Sequence, residues 1–219
     1  VLNLTHRDGH ERADPMPTGP VRVRVPMQST AYAVPAGHRL RLAISPTYWP
    51  WVWPSPEPVT LSVHSGGESR LELPARRGGE LALPLRQFEA PAAAPEIEVE
   101  ETGETPTRRV RRELASGVLE VEFDWVGDSR TLLVESGIEM GEHNVTRYRI
   151  VEGDPLSAQV QCEVGVSLGR GDWQVRAEIR ASMSCDIESF NVTTDLRAYE
   201  GENEVFTRAD SHRIARDGG

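Results

Sequence analysis

Residues 34–58, VPAGHRLRLAISPTYWPWVWPSPEP, join an alternating run to an aromatic, proline-rich turn. Leu40, Leu42 and Ile44 alternate with Arg39, Arg41 and Ala43, the period-two pattern of a strand with one face toward a core and the other toward water. Directly after it, Tyr48, Trp49, Trp51 and Trp53 interleave with Pro46, Pro50, Pro54, Pro56 and Pro58. Proline fixes φ and removes the backbone donor, so this segment is expected at a sheet edge or across the outside of a sheet. Large rings on a stiff segment need a surface to cover them, which makes Tyr48, Trp49, Trp51 and Trp53 the candidate docking or ligand-facing residues.

The same pattern runs through the first half. Val21, Val23 and Val25 alternate with Arg22 and Arg24 and stop at Pro26; Val59, Leu61 and Val63 make another run, Leu71 and Leu73 a short one, and residues 81–88 a further one. No segment sustains helical spacing, so short turn-bounded strands and a β-sandwich are expected. Residues 90–95, APAAAP, and the acidic residues 96–104 read as an interdomain connection, the alternative being a long surface crossing within one domain.

From Thr105 the chain reads as an antiparallel up-and-down meander. Val110, Arg112 and Leu114 turn at Ala115-Ser116-Gly117 into Leu119, Val121, Phe123 and Trp125; residues 132–139 and 147–151 follow, then a long hairpin, then Phe190 to Ala198 and a last run at 205–208. One face is apolar throughout, so the sheet must curl or pack on something, as an open curved sheet, a half-barrel or a closed barrel around a small ligand. The division is thus 1–89 for the first β domain, 90–104 for the linker and 105–219 for the meander domain.

In the hairpin, Gly169-Arg170-Gly171-Asp172 is read as the turn, with Leu168 paired to Trp173 and Cys162 opposite Ile179. That register puts Cys185 roughly 20 Å along the strand from Cys162's partner, whereas a disulfide needs Cα atoms within about 7 Å. Both cysteines are therefore expected as free thiols, which suits a reducing cytoplasm.

The net charge of -10 argues against nucleic acid or an anionic membrane as partner. No lysine occurs, so P-loop, Schiff-base and Ser-x-x-Lys chemistry are closed. No apolar run is long enough to span a bilayer, no secretory leader precedes the first strand, and the start at Val1 reads as that of a fragment. His6, Asp8 and His10 would share one face of an extended strand, but Gly9, Pro15 and Pro17 favour a turn there; neither a metal nor a cofactor is assigned. Arg170-Gly171-Asp172 is explained by a hairpin turn and not by adhesion, and the Asn-x-Thr triplets at Asn3, Asn144 and Asn191 are read as chance matches.

Residues 37–50, GHRLRLAISPTYWP, resemble the motif of the C-terminal jelly-roll domain of X-prolyl dipeptidyl-peptidase and cocaine-esterase type hydrolases, the CocE/NonD family. VLNLTHRDGHE at 1–11 resembles the approach to that motif; DPLSA at 154–158, RGDWQVR at 170–176 and MSCD at 183–186 resemble the tail of a bacterial branch. The resemblance implies a jelly-roll-like first half whose opening strands precede Val1. It also implies that the catalytic Ser-Asp-His triad lies on an α/β-hydrolase domain of the parent chain, with the serine on a G-x-S-x-G elbow between strand and helix. No G-x-S-x-G is read in this chain, no serine or histidine is expected in such a strand-turn-helix setting, and no catalytic residue is assigned. The implied role is docking on that catalytic domain, framing substrate access and subunit assembly, including a homo-oligomer. The alternative is a stand-alone module using Trp49, Trp51 and Trp53 as a platform for a sugar.

Overall fold

The computed structural model describes residues 19–27, 31–67, 69–75 and 88–216. The elements are β1 (Val99–Thr102), β2 (Thr107–Glu113), β3 (Val118–Asp124), β4 (Ser129–Leu133), β5 (Ile138–Val151), β6 (Asp154–Arg170), β7 (Trp173–Cys185), β8 (Ser189–Glu200) and β9 (Asn203–Ala215). They form a single nine-stranded antiparallel sheet, and no helix occurs among the described residues. The fold class is all-β.

The nine strands behave as a simpler meander. β1 pairs β4 and β2 pairs β3, while β3 and β4 lie along the same side of β5, on its Val145–Val151 and Ile138–Glu142 portions respectively. β1 and β2 are therefore one outer strand interrupted near Gly103, and β3 and β4 one inner strand interrupted at Gly127. From there β5 to β9 follow in sequence order, each bonded to the next. Among the described residues the sheet is open: β9 pairs only β8 there, so they do not realise the closed-barrel alternative.

Several element bounds differ from the sequence reading for local reasons. Residues 132–139 are not one strand but the end of β4, a turn with Gly137 at φ 66°, and the start of β5. Gly137 can adopt the left-handed region without penalty, and Gly137 N closes the turn onto Leu133 O at 2.8 Å. In the long hairpin the rung Arg170–Trp173 leaves only Gly171-Asp172 as the turn, so Cys162 faces Ala181 and not Ile179. That shift by two keeps every side chain on its predicted face, and both cysteines are free. The last run extends through all of β9, and Val99–Thr102, within the span read as linker, is β1.

The first half departs most. Among described residues 19–75 no strand forms; the runs at Val21, Leu40 and Val59 enter no ladder, and Leu40, Leu42 and Ile44 are exposed. The sandwich expected there is thus not formed by the described residues. Alternation supplies a face but not the neighbouring strand whose N–H and C=O groups a ladder requires. Of the run at 81–88, residues 81–87 lie outside the described residues, as do His6, Asp8 and His10.

The sheet is amphipathic. One face carries Glu120, Glu122, Arg147, Glu163, Arg180, Thr193 and Asp195; the other carries Val121, Phe123, Tyr148, Val160, Cys162, Met183 and Val192. The most buried apolar side chains include Val121, Phe123 and Ala158, at one end of the apolar face.

Candidate functional site

That end of the apolar face is covered by the aromatic, proline-rich segment. Val52 N donates to Tyr48 O at 2.9 Å, closing one helix-like turn. Such a turn brings positions four apart onto one side, and Trp49 and Trp53 meet edge to face with centroids 5.1 Å apart and planes at 82°. The Trp49–Pro50 peptide is cis.

Each tryptophan has its own seat on the sheet. Trp49 stands edge-on to Tyr148 of β5 at 5.9 Å, Trp51 meets Phe123 of β3 at 5.8 Å, and Trp53 meets Phe190 of β8 at 5.7 Å. Phe123 is the centre of the cluster, stacked on Trp125 at 5.0 Å and edge-on to Tyr148, with the Arg108 guanidinium 4.6 Å from its centroid. Edge-to-face pairs and a cation over a ring each add to the gain from burial. Trp53 Nε1 donates to Cys185 Sγ at 3.2 Å, and Arg216 spans the same corner, donating to Pro54 O at 2.8 Å while its guanidinium lies over Phe190. Pro54 and Pro56 are buried. Burial pushes the Tyr148 phenol above its ordinary value of 10.0, with Cys162 adding to the shift.

The structure brings Trp49 and Trp53 together, half-buried, and leaves Tyr48 and Trp51 more than half exposed at 54% and 55%. The segment crosses the outside of a sheet, as proline chemistry demands, and the sheet it covers is that of its own chain. The perpendicular Trp49 and Trp53 rings do not make the flat platform that sugar stacking uses. The Trp49 indole N–H is buried with no hydrogen-bond partner among the described residues, an unfavourable feature that the ring contacts offset.

The opposite face is held by ion pairs. Glu122 accepts from Arg147 Nε at 2.8 Å and from Arg109 at 3.0 Å, and Arg147 reaches Glu163 at 3.6 Å. The hydrogen bond from Arg147 holds the Glu122 carboxyl below its ordinary value of 4.5 against the opposing effect of burial, and Arg109 adds to it.

One string escapes the sequence reading: Gly165-Val166-Ser167-Leu168-Gly169 spells G-x-S-x-G. The structure places it inside β6, with Ser167 on the rungs to Gly141 and Arg176, so it is a regular strand and not a strand-to-helix elbow. His143 lies opposite Gly165 on the same face, but no hydrogen bond joins it to Ser167. Among the described residues no group of three or more His, Cys, Asp or Glu could hold a metal ion, and no helix is long and apolar enough to cross a membrane.

Fold and site together define an all-β chain whose described residues form an aromatic joint between an N-terminal segment and a meander sheet. Residues 1–78 match the family model of the X-Pro dipeptidyl-peptidase C-terminal non-catalytic domain. Neither the curated proteins nor the solved structures contain a match to the chain.

Proposed function

We propose that this chain is non-catalytic β scaffolding of an X-Pro dipeptidyl-peptidase or cocaine-esterase type serine hydrolase. It packs on the parent's catalytic α/β-hydrolase domain and shapes substrate access. The match of residues 1–78 to the non-catalytic domain carries the reading. The part of the apolar face that no described residue covers supports docking: beyond the aromatic joint it forms an open groove of ≈ 620 Å³ whose lining includes Met140, Val166, Leu168, Val175 and Val205. Met140 and Val166 are 46% and 47% exposed. Contiguous apolar surface of this kind marks interaction sites. The division into residues 1–89, 90–104 and 105–219 belongs to the same proposal, with the meander as an accessory unit tied back by Trp49 and Trp53.

The test has two arms. The purified chain is expected neither to cleave an Ala-Pro anilide or a short-chain ester nor to react with a fluorophosphonate; turnover or labelling would overturn the non-catalytic reading. Mixed with the separately purified catalytic domain of the parent chain, it is expected to co-elute in gel filtration, and Val166→Glu to weaken that complex. Absence of a complex, or one indifferent to Val166→Glu, would overturn docking through the groove.

A further inference from the structure

The two outer edges of the sheet differ in kind. The β1 and β2 edge is broken at Gly103–Pro106, where Pro106 removes a donor, and β2 carries Arg108, Arg109, Arg111 and Arg112. Breaks, proline and like charge are the devices by which proteins blunt an edge strand against further pairing. β9 lacks the break and the proline, and its charges are of mixed sign; of the devices that blunt an edge it carries a bulge near its start and charged side chains. It runs from Asn203 to Ala215 without Pro or Gly, and its only irregularity is the bulge where Ala198 faces Phe206 and Tyr199 faces Glu204. From Phe206 onward the ladder to β8 is regular, and among the described residues no strand pairs with its outer side.

The charges on this edge balance, Glu204 and Asp210 against Arg208 and Arg213, and their order selects a partner. Consider β9 antiparallel to another β9 about a two-fold axis normal to the sheet, so that like faces stay together. An axis at Arg208 sets arginine against arginine, and one at Asp210 sets aspartate against aspartate; like charges directly opposite are destabilising. An axis at Ala209 sets Arg208 against Asp210 twice, Thr207 against Ser211 twice and Phe206 against His212 twice. Within one chain Arg208 Nε and Asp210 Oδ2 already pair at 2.6 Å, and the register to β8 puts both side chains on the face that carries Val192. Phe206 is half-exposed and lies on the same face.

We propose that β9 pairs with β9 of a second copy of this chain, antiparallel about Ala209, joining two meander sheets into one continuous sheet. Backbone hydrogen bonds supply the attraction and the Arg208–Asp210 alternation fixes the register. The edge adjoins the groove proposed for the catalytic domain at Val205, but its test reads the Arg208–Asp210 pairing and does not depend on that reading.

Sedimentation velocity of the full chain is expected to show a dimer at micromolar concentration. Asp210→Arg is expected to raise the dimer dissociation constant by about tenfold or more, because two attractive pairs become two repulsive ones, and Arg208→Asp should do the same. Mixing the two variants, each monomeric and folded by circular dichroism, should restore a heterodimer. One chain then carries only arginine at these two positions and the other only aspartate, so both cross-strand pairs are attractive again. A monomeric wild-type chain, a dimer indifferent to Asp210→Arg, or failure of the mixed variants to associate would each overturn the proposal.

Discussion

Trp53 Nε1 and Cys185 Sγ, 132 residues apart in sequence, lie 3.2 Å apart. Cysteine sulfur is a weak acceptor, so the hydrogen bond orients the indole more than it secures it. The ring contacts to Phe190 and Trp49 carry most of the energy, and Arg216, 162 residues from Pro54, closes over the same corner. The aromatic segment thus gathers β3, β5 and β8 beneath one turn of chain.

Trp53→Ala should therefore destabilise the chain by about 2–4 kcal/mol, since it removes a large ring from a part-buried cluster. Trp51→Ala, at a half-exposed ring, should cost less, about 1 kcal/mol. Urea unfolding followed by far-UV circular dichroism gives both values. Equal losses would mean that the two rings are equivalently seated.

The Cys185 thiol reports on the same joint. It packs beneath Trp53, with its sulfur 3.8 Å from Leu156 O. Access controls thiol reactivity when ionisation is unchanged. Labelling by a maleimide, mapped by peptide mass spectrometry, should accelerate at Cys185 in the Trp53→Ala chain and stay nearly constant at Cys162. Acceleration at Cys162 alone would place the opening elsewhere on the sheet.

The meander was readable because its period is two and its turns are short. β7 spans Trp173–Cys185 as its alternation predicts, and the faces survive a hairpin register that differs by two. That the aromatic segment would cross the outside of a sheet was readable from proline chemistry. Its target was not, because a row of rings specifies the need for a surface and not which one. Nothing local in Leu40, Leu42 or Ile44 tells whether a partner strand exists, and among the described residues none does. The G-x-S-x-G string illustrates the converse: the spelling is satisfied, while the strand-to-helix turn that gives it meaning is absent around Ser167.

Glu122 makes the sheet acid-sensitive. Its carboxyl is held below 4.5, first by the hydrogen bond from Arg147, so the folded state favours the ionised form. The contribution is fully present above the unfolded value and is lost as pH falls through the lower folded value. The Glu122 side chain is only 13% exposed but its partner Arg147 is 37% exposed, which limits the effect of Glu122→Gln to about 1 kcal/mol at neutral pH. Urea midpoints should show a constant gap between wild type and variant from pH 7 to about 5, narrowing below the ordinary carboxylate range. A gap that widens on acidification would reverse the sign assigned to Glu122.

Gly127 interrupts the inner strand so that the outer one can approach. Its φ is 64°, its N–H bonds Asp124 Oδ1 at 2.8 Å and its carbonyl accepts from Glu104 N at 2.7 Å. A Cβ at this position would collide with the Glu104 carbonyl, which is backbone and cannot swing aside. Gly153 has a similar φ of 81° with nothing within 4 Å of a Cβ, so it isolates the conformational cost alone. Gly153→Ala should cost about 1 kcal/mol for the left-handed backbone, and Gly127→Ala about 2 kcal/mol or more once the β1 and β2 ribbon is pushed off. Hydrogen exchange at the Glu104 amide should quicken in Gly127→Ala and not in Gly153→Ala. Similar costs for the two glycines, with the Glu104 amide still protected, would show that the outer ribbon does not pass this close to Gly127.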